Sequence, residues 1–242
     1  MSGEKPRNLF EQAAIRQVTG DTIRPGGLAL TDHALVHCRL PEGARVLDVG
    51  CGAGATVEHL SGTFDAVGLD PSEALLAAGR TRAPDLRLVR GRGEDLPFAP
   101  GTFDAVLAEC VLSLIPDLNR ALAAFSRVLR AGGYLVISDM HARRPAGAPA
   151  RDDLPIATCL GSALSPETLI PALSVHGLAF VLMEDHTRAL ADLAARIIFE
   201  YGSLGAFWAC AAGEGAGAMQ NAVAGAKPGY ILLIARKEKK SA

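Results

Sequence analysis

The stretch Val46-Leu47-Asp48-Val49-Gly50-Cys51-Gly52-Ala53-Gly54 decides the expected fold of this chain. It begins as a short apolar strand and ends in a glycine-rich turn, after which a helical pattern starts. Glycines let the backbone approach a ligand closely, and free N–H groups at a helix start favour electron-rich groups. The stretch therefore predicts a ligand site where the first strand of a βαβ unit turns into its helix.

Strand-like apolar runs alternate with helical patterns around this turn. Short, almost entirely apolar strands are typical of a parallel sheet that is covered by helices on both faces. The expected strands are Arg45–Val49, Ala66–Leu69, Leu86–Val89, Phe103–Ala108, Gly133–Ser138 and a closing strand at Tyr230–Ala235.

Capping residues predict where the helices begin and end. A helix starts near Ala53, and Ser72 and Asp117 are expected as N-caps of the next two. The helix after Asp117 is expected to end in a left-handed C-cap supplied by the pair Gly132-Gly133. Further helices are expected from Ser165 and, as one element, over 187–207, whereas Arg143–Leu154 reads as a mobile loop.

The composition excludes several classes of protein. Apolar residues make up 49% of the chain and charged residues 21%, which argues against a disordered chain. A net charge of −2 provides no general attraction to phosphate backbones, so no nucleic-acid partner is expected. The chain has no apolar run of the ~18 residues that span a bilayer and no secretory signal pattern. No membrane association is expected, and the predicted location is the cytoplasm.

The five cysteines stand at wide and irregular spacings. No CxxC pair occurs, so neither a structural metal site nor a disulfide framework is expected. Reduced thiols agree with the cytoplasmic prediction.

Asp70 ends the second expected strand, twenty positions after Gly50. A carboxylate at that point can accept hydrogen bonds from both ribose hydroxyls of an adenosine. This acid serves NAD and S-adenosylmethionine (SAM) alike. The Gly-x-Gly-x-Gly spacing and the acid Asp48 inside the strand favour SAM over the GxGxxG pattern of NAD enzymes.

Five motifs between Ala44 and Asp139 resemble, in order and spacing, those of class I SAM-dependent methyltransferases of the type 11 group. They are Asp48-Val-Gly-Cys-Gly-Ala-Gly54, Gly68-Leu-Asp-Pro-Ser72, Gly91-Arg-Gly-Glu-Asp-Leu-Pro-Phe98, Phe103-Asp-Ala-Val106 and Leu129-Arg-Ala-Gly-Gly133. The resemblance implies a Rossmann-like, doubly wound α/β fold with helices on both faces. Its seven-stranded sheet would be mostly parallel, with one antiparallel strand at the carboxyl end.

The resemblance also implies a function and a division of the chain. SAM would donate a methyl group to a small-molecule acceptor, and S-adenosylhomocysteine would be the product. All 242 residues would form one methyltransferase domain. Residues 1–43 would be a helical cap, 44–140 the SAM-binding core, and 141–242 the substrate-side helices and final strands.

Site residues follow from the same resemblance. Asp70 with Pro71 is expected to hold the ribose. Independently of the resemblance, Arg24 precedes a Pro-Gly-Gly turn ahead of the first strand, and it is expected to pair with the carboxylate of SAM. Arg92 stands where relatives often carry an aspartate that contacts the adenine amino group, and arginine cannot accept that hydrogen bond. No catalytic residue is assigned, because a methyl group on a sulfonium is already activated. The remaining expected cofactor contacts are Asp48, Gly50, Cys51, Gly52, Gly54, Gly93, Glu94, Glu109 and Cys110.

The substrate side carries a weaker resemblance. Residues 157–165 are similar to part of arsenite methyltransferases, in which cysteines hold trivalent arsenic. Cys159 is therefore a candidate substrate residue, with Cys110 or Cys210 as a second soft ligand, and His186 is another candidate. Two alternatives stay open: arsenite or thiol methylation, and a SAM-binding sensor without turnover.

Overall fold

The structure is a computed structural model that describes residues 7–20, 22–143, 153–162 and 165–239. One seven-stranded sheet runs through the molecule. Its strands are β1 Arg45–Val49, β2 Asp65–Asp70, β3 Leu88–Arg90, β4 Phe103–Glu109, β5 Leu129–Ala142, β6 Leu178–Asp185 and β7 Pro228–Lys237. Their order across the sheet is β3-β2-β1-β4-β5-β7-β6.

The sheet is parallel except for β7. This final strand lies between β5 and β6 and runs antiparallel to both. The other neighbouring pairs are parallel. The predicted seven-stranded, mostly parallel sheet with one antiparallel strand is confirmed, and β1 has the predicted bounds.

Helices cover both faces of the sheet and extend beyond one edge. Ser72 and Asp117 are N-caps, as predicted, and their side chains accept hydrogen bonds from Leu75 N and Arg120 N. The α-helices of the described residues are α1 Ala13–Thr19, α2 Gly27–Cys38, α3 Ala55–Leu60, α4 Glu73–Arg82, α5 Leu118–Val128, α6 Pro166–Val175, α7 Thr187–Tyr201, α8 Leu204–Ala212 and α9 Ala216–Ala226.

The predicted glycine C-cap after α5 is wrong. The helix ends at Val128, and the C-cap residue Leu129 has extended torsions of φ −69° and ψ 138°. Leu129 is fully buried and pairs with Phe103 as the first residue of β5. Because this leucine is buried in the sheet, the helix ends before it reaches Gly132. Gly132 does have a positive φ of 80°, but it lies within β5 and caps no helix.

The single helix predicted over 187–207 is also wrong. Gly202 adopts φ +79° and ends α7, and Ser203 then caps α8 by accepting a hydrogen bond from Ala206 N at 3.0 Å. The break lets Ile197 of α7 and Phe207 of α8 pack into one apolar cluster. Residues 144–152 of the predicted mobile loop lie outside the described residues.

The edge strand β6 was not expected from the sequence. Residues 178–183 are a continuous apolar run like those of the inner strands, but at the edge of the sheet Phe180, Val181 and Met183 are exposed. It continues to the turn at His186, whose N–H donates to Tyr230 O at 2.8 Å.

Apolar residues pack on both faces of the sheet and in a third cluster beyond it. The third cluster joins the amino-terminal segment and α1 to α7, α8 and α9. The cap and the carboxyl-terminal helices therefore form a common cover over the end of the sheet. Within the part of the chain that the structure describes, no helix has the length and apolarity to cross a membrane.

Candidate active site

The glycine-rich turn follows β1 and has the backbone that only glycine adopts readily. Gly50 and Gly52 have φ values of +75° and +55°. A Cβ on Gly50 would lie 2.8 Å from Cβ of Val111, so a side chain there would collide as well as strain the backbone. The turn is thereby held against the loop after β4, and its outer face stays open.

Asp70 is fixed at the end of β2 by two backbone donors. Gly52 N donates to Oδ2 at 2.9 Å and Ser72 N donates to Oδ1 at 2.8 Å. Burial raises the pKa of Asp70, although these two N–H groups act in the opposite direction. The carboxylate lies against a cavity with its orientation already set, which suits it to accept ligand hydroxyls.

Arg24, Thr31 and Glu109 form a buried chain that joins the cap to the sheet. Arg24 Nη2 donates to Thr31 Oγ1 at 2.6 Å, and Thr31 Oγ1 donates to Glu109 Oε1 at 2.9 Å. Arg24 Nη2 also lies 3.0 Å from Glu109 Oε2. The salt bridge holds the arginine in place, because both side chains are more than nine-tenths buried.

Asp48 lies beneath the turn and is 4% exposed. Burial, together with the charge of Glu109, raises the pKa of Asp48 to about 8, and Arg24 only partly offsets this. This raised pKa favours the protonated form of Asp48.

A cavity of about 370 Å³ lies over these groups at the carboxyl ends of the strands. Ligands of open α/β sheets bind at this edge. The structure brings the following predicted residues together around the cavity: Arg24, Asp48, Gly50, Cys51, Gly52, Asp70, Pro71, Gly93, Glu94, Glu109 and Cys110. Arg92, the departure from the family pattern, also lines it.

Gly54 differs from the other expected contacts because it does not line this cavity. Its φ is +78°, and a Cβ there would meet the side chains of Leu86 and Leu88. It caps the start of α3 and packs towards β3. Gly54 therefore contributes to the conformation of the turn but not to the wall of the cavity.

Sequence reasoning missed one wall of the cavity. Asn8, Phe10 and Glu11 line it, and residues 7–8 pair in parallel with Ile156 and Ala157. The signal available in the sequence was only the apolar pair Leu9-Phe10 in an otherwise polar terminus. A pairing across almost 150 positions has no local signature.

A second cavity of about 360 Å³ adjoins the first and has a mainly apolar wall. The two share Phe10, Ile23, Cys110 and Thr158. Much of the second wall comes from α7 and α8, with Leu190, Ala194, Ile197, Phe207 and Trp208 among its residues. The first cavity, which has the more polar wall, and the more apolar second cavity thus meet at Cys110.

Cys110 has a non-glycine left-handed backbone, with φ +56°. Such strain is often stored at functional sites. Its N–H donates to Ser138 O at 2.6 Å, and its carbonyl accepts from Cys159 Sγ at 3.2 Å. The Sγ atoms of Cys110 and Cys159 and a carboxylate oxygen of Asp139 lie within 4.8 Å of one another.

The remaining substrate candidates lie elsewhere. Cys210 is exposed and borders neither cavity. His186 also borders neither, and its Nε2 lies 2.9 Å from Glu184 Oε2. Of the candidate thiols, the structure pairs Cys159 with Cys110 and not with Cys210.

The residues around the first cavity fit SAM. Nε of Arg24 is buried, and within the described residues it has no hydrogen-bond partner although the side chain lines the cavity. An unpaired buried donor of a fixed guanidinium suits a carboxylate such as that of the methionine group. Asp70 at the other end suits a ribose, and the glycine turn lies between them.

Comparison with known proteins agrees with this reading. The family model described as a methyltransferase domain matches residues 47–137. A demethylmenaquinone methyltransferase of Renibacterium salmoninarum is 39% identical over 98 residues, which are 40% of this chain and 41% of that protein. Phthiotriol/phenolphthiotriol dimycocerosates methyltransferase 1 of Mycobacterium ulcerans is 40% identical over 104 residues, 41% of this chain and 38% of that protein. The matches span about two fifths of these relatives' length.

A solved methyltransferase structure has a similar fold. Phosphoethanolamine N-methyltransferase 2 of Haemonchus contortus, in complex with S-adenosyl-L-methionine, superposes with a TM-score of 0.72 at 18% identity. The superposition covers 93% of this chain and 56% of that one. The strand order, the ordered motifs and the family match together identify residues 47–137 as a methyltransferase domain with the class I SAM-dependent fold.

Proposed function

We propose that this protein transfers a methyl group from SAM to a small, largely apolar acceptor. The observation that carries the proposal is the meeting of two cavities at Cys110, one lined by the glycine turn and Asp70, the other mainly apolar. The names of the relatives, which specify demethylmenaquinone and phthiotriol dimycocerosates, agree with an acceptor of this kind.

In this proposal the first cavity holds the cofactor. Asp70 accepts hydrogen bonds from the ribose, and Nε of Arg24 donates to the methionine carboxylate. Gly93 and Glu94 lie at the adenine side, and Glu109 keeps the arginine in place. The product, S-adenosylhomocysteine, keeps both groups and uses the same contacts.

The protein's part in the chemistry is alignment and exclusion of water. When bound, SAM supplies a methyl group that its sulfonium has already activated. The apolar wall, with Phe207 and Trp208, keeps water from the acceptor and holds it towards Cys110. Among the described residues no carboxylate or imidazole lines the apolar cavity.

We further propose that the protein acts in the cytoplasm and not on nucleic acid. All five cysteines are free, as in a reducing compartment. The net charge of −2 provides no general attraction to a phosphate backbone.

Calorimetry tests cofactor binding. SAM and S-adenosylhomocysteine are expected to bind, whereas NAD is not. Asp70→Ala should weaken SAM binding about 10- to 150-fold, because a charge-assisted hydrogen bond contributes roughly 1.5–3 kcal/mol. Asp85→Ala, at an exposed acid outside the cavity, is the control. Equal binding of NAD and SAM, or a change below twofold in Asp70→Ala, contradicts the assignment.

Turnover separates an enzyme from a sensor. SAM that carries a labelled methyl group is incubated with the protein and a panel of phenols, quinols and isoprenoids, and label is counted in the organic extract. We expect label in an apolar product. Tight SAM binding with no labelled product from any acceptor, polar ones included, favours a SAM sensor instead.

The thiol pair supports arsenite or thiol methylation as a second candidate. Cys110 and Cys159 face the point where the cavities meet, and two thiols can each displace a hydroxyl of arsenous acid, releasing two waters. The neighbouring Cys110 and burial raise the pKa of the Cys159 thiol, which would therefore react from the protonated form.

Trp208 fluorescence tests this candidate, because Trp208 and Cys159 line the same cavity. Arsenite should change the emission of the wild type and leave Cys159→Ser unchanged, while both bind SAM equally. Cys210→Ser is the matched control and should respond like the wild type. No response in the wild type, or an equal response in Cys159→Ser, rejects metalloid chemistry.

A further inference from the structure

Three histidines and one glutamate meet on the surface, outside both cavities. Glu184 Oε2 lies 2.7 Å from Nε2 of His33 and 2.9 Å from Nε2 of His186. Glu184 Oε1 lies 3.7 Å from Nε2 of His37. We call these four residues the histidine cluster.

Two secondary-structure elements create the cluster. His33 and His37 are four positions apart on α2, so they project from the same face one turn apart. Glu184 lies near the end of β6, and His186 follows the strand as the N-cap residue of α7, where its Nε2 meets Glu184 Oε2. The ring centroid of His33 lies 5.1 Å from that of His37 and 5.7 Å from that of His186.

The donor set is one that first-row transition ions prefer. Imidazole nitrogens bind Zn²⁺ at about 2.0–2.1 Å, and two histidines at helical i, i+4 spacing are a common chelating pair. Tetrahedral ligation places donor atoms about 3.3 Å apart. The donor atoms of His33, His37 and Glu184 already lie within 4.8 Å of one another.

The four side chains of the histidine cluster are exposed enough to change rotamer and ligate an ion. Their exposed fractions are 46% for His33, 38% for His37, 29% for Glu184 and 26% for His186. An ion can therefore reach them from solvent. Small side-chain rotations would bring the donors to ligand distance without moving the backbone.

We propose that the histidine cluster binds one divalent transition ion of the Zn²⁺ type, which links α2 to the β6–α7 turn. Nitrogen lone pairs of neutral imidazoles and the Glu184 carboxylate would replace the present imidazole–carboxylate hydrogen bonds, with release of any imidazolium protons. The link has a structural consequence. α2 carries Thr31 of the Arg24–Glu109 chain, and α7 lines the apolar cavity, so the ion would stiffen the cover over both cavities.

Calorimetry with zinc chloride on tag-free, chelator-treated protein tests the site. We expect one Zn²⁺ per chain, no binding of Mg²⁺, and a higher melting temperature with Zn²⁺. Co²⁺ should show the strong visible absorption of a tetrahedral site with nitrogen and oxygen ligands. Failure of the wild type to bind Zn²⁺ overturns the proposal and leaves a hydrogen-bonded cluster only.

Paired variants locate the ion. The double variant His33→Ala/His37→Ala should lose about tenfold or more in Zn²⁺ affinity and lose the rise in melting temperature. His59→Ala/His176→Ala removes two histidines outside the cluster and should bind like the wild type. Cys159→Ser tests the buried thiol pair as a competing site. Unchanged Zn²⁺ binding in the cluster variant, or loss of binding in Cys159→Ser alone, overturns the assignment.

Discussion

At the scale of single residues, the environment separates the two aspartates of the site. Asp70 accepts two backbone N–H bonds and faces the cavity. Asp48 is buried below the turn beside Glu109, which raises the pKa of Asp48 to about 8. The same kind of side chain is thus an oriented acceptor in one place and a buried carboxyl with a raised pKa in the other.

This difference predicts a pH dependence of stability. Between about pH 4 and pH 8 the folded protein keeps the proton on Asp48, whereas the unfolded chain has lost it. The folded state binds more protons in that window, so Asp48 makes the free energy of unfolding fall as pH rises. Asp48→Asn should reduce this fall.

Denaturant unfolding at several pH values between about 5 and 8 measures the effect. The comparison is between the slopes of wild type and variant, since other groups titrate in both. Asp85→Asn, at an exposed acid, should keep the wild-type slope. A slope in Asp48→Asn equal to that of the wild type would mean that Asp48 is ionised in the folded protein.

At the scale of elements, the break between α7 and α8 shapes the apolar cavity. An unbroken helix from Thr187 would carry Phe207 and Trp208 away along its axis. Gly202 and Ser203 turn the chain so that both aromatic side chains pack beside Ile197. Local capping chemistry here decides a tertiary feature.

Ser203→Ala tests the cap. The hydroxyl accepts from Ala206 N at 3.0 Å, and loss of an N-cap lowers the free energy of unfolding by about 1 kcal/mol. Chemical denaturation measures it, and SAM affinity should be unchanged because Ser203 does not line the first cavity. Ser174→Ala, at an exposed serine within α6, is the control. Equal stability of the two variants would show that the cap contributes nothing.

At the scale of the whole molecule, the amino-terminal segment and the carboxyl-terminal helices form most of the wall of the apolar cavity. The first cavity rests largely on strand ends and on residues within the methyltransferase-domain match. Its other lining residues are Asn8, Phe10, Glu11, Ile23, Arg24, Leu154, Ala157 and Thr158. The second rests largely on α7 and α8, outside that match. In the proposed function, cofactor binding would thus depend mostly on residues 47–137 and acceptor choice mostly on α7 and α8.

Ala194→Trp should separate turnover of the acceptor from binding of SAM. Ala194 lines only the apolar cavity, so an indole there should lower kcat/KM for the acceptor about tenfold or more and leave the Kd of SAM unchanged. Ala195→Trp adds the same side chain on an exposed face of α7, beside neither cavity, and should behave as the wild type. Equal kcat/KM in both variants would place the acceptor elsewhere.

The accuracy of the sequence predictions follows the range of the forces involved. β1, the glycine turn and the N-caps Ser72 and Asp117 were predicted correctly because each depends on torsions and hydrogen bonds within a few residues. The C-cap after α5 and the helix over 187–207 were wrong. The C-cap was wrong because burial of Leu129 in the sheet outweighed a local preference. The helix was wrong because a local stop signal, Gly202 followed by the N-cap Ser203, was not recognised.

The sequence by itself determined the fold class and the cofactor side, since ordered local motifs specify both. The tertiary structure alone decided which distant residues meet. Thr31 reaches Glu109 across 78 positions, His33 reaches Glu184 across 151, and Cys159 pairs with Cys110 and not with Cys210. The physical reason is that such contacts depend on the packing of whole helices and strands, whose side-chain directions no local pattern specifies.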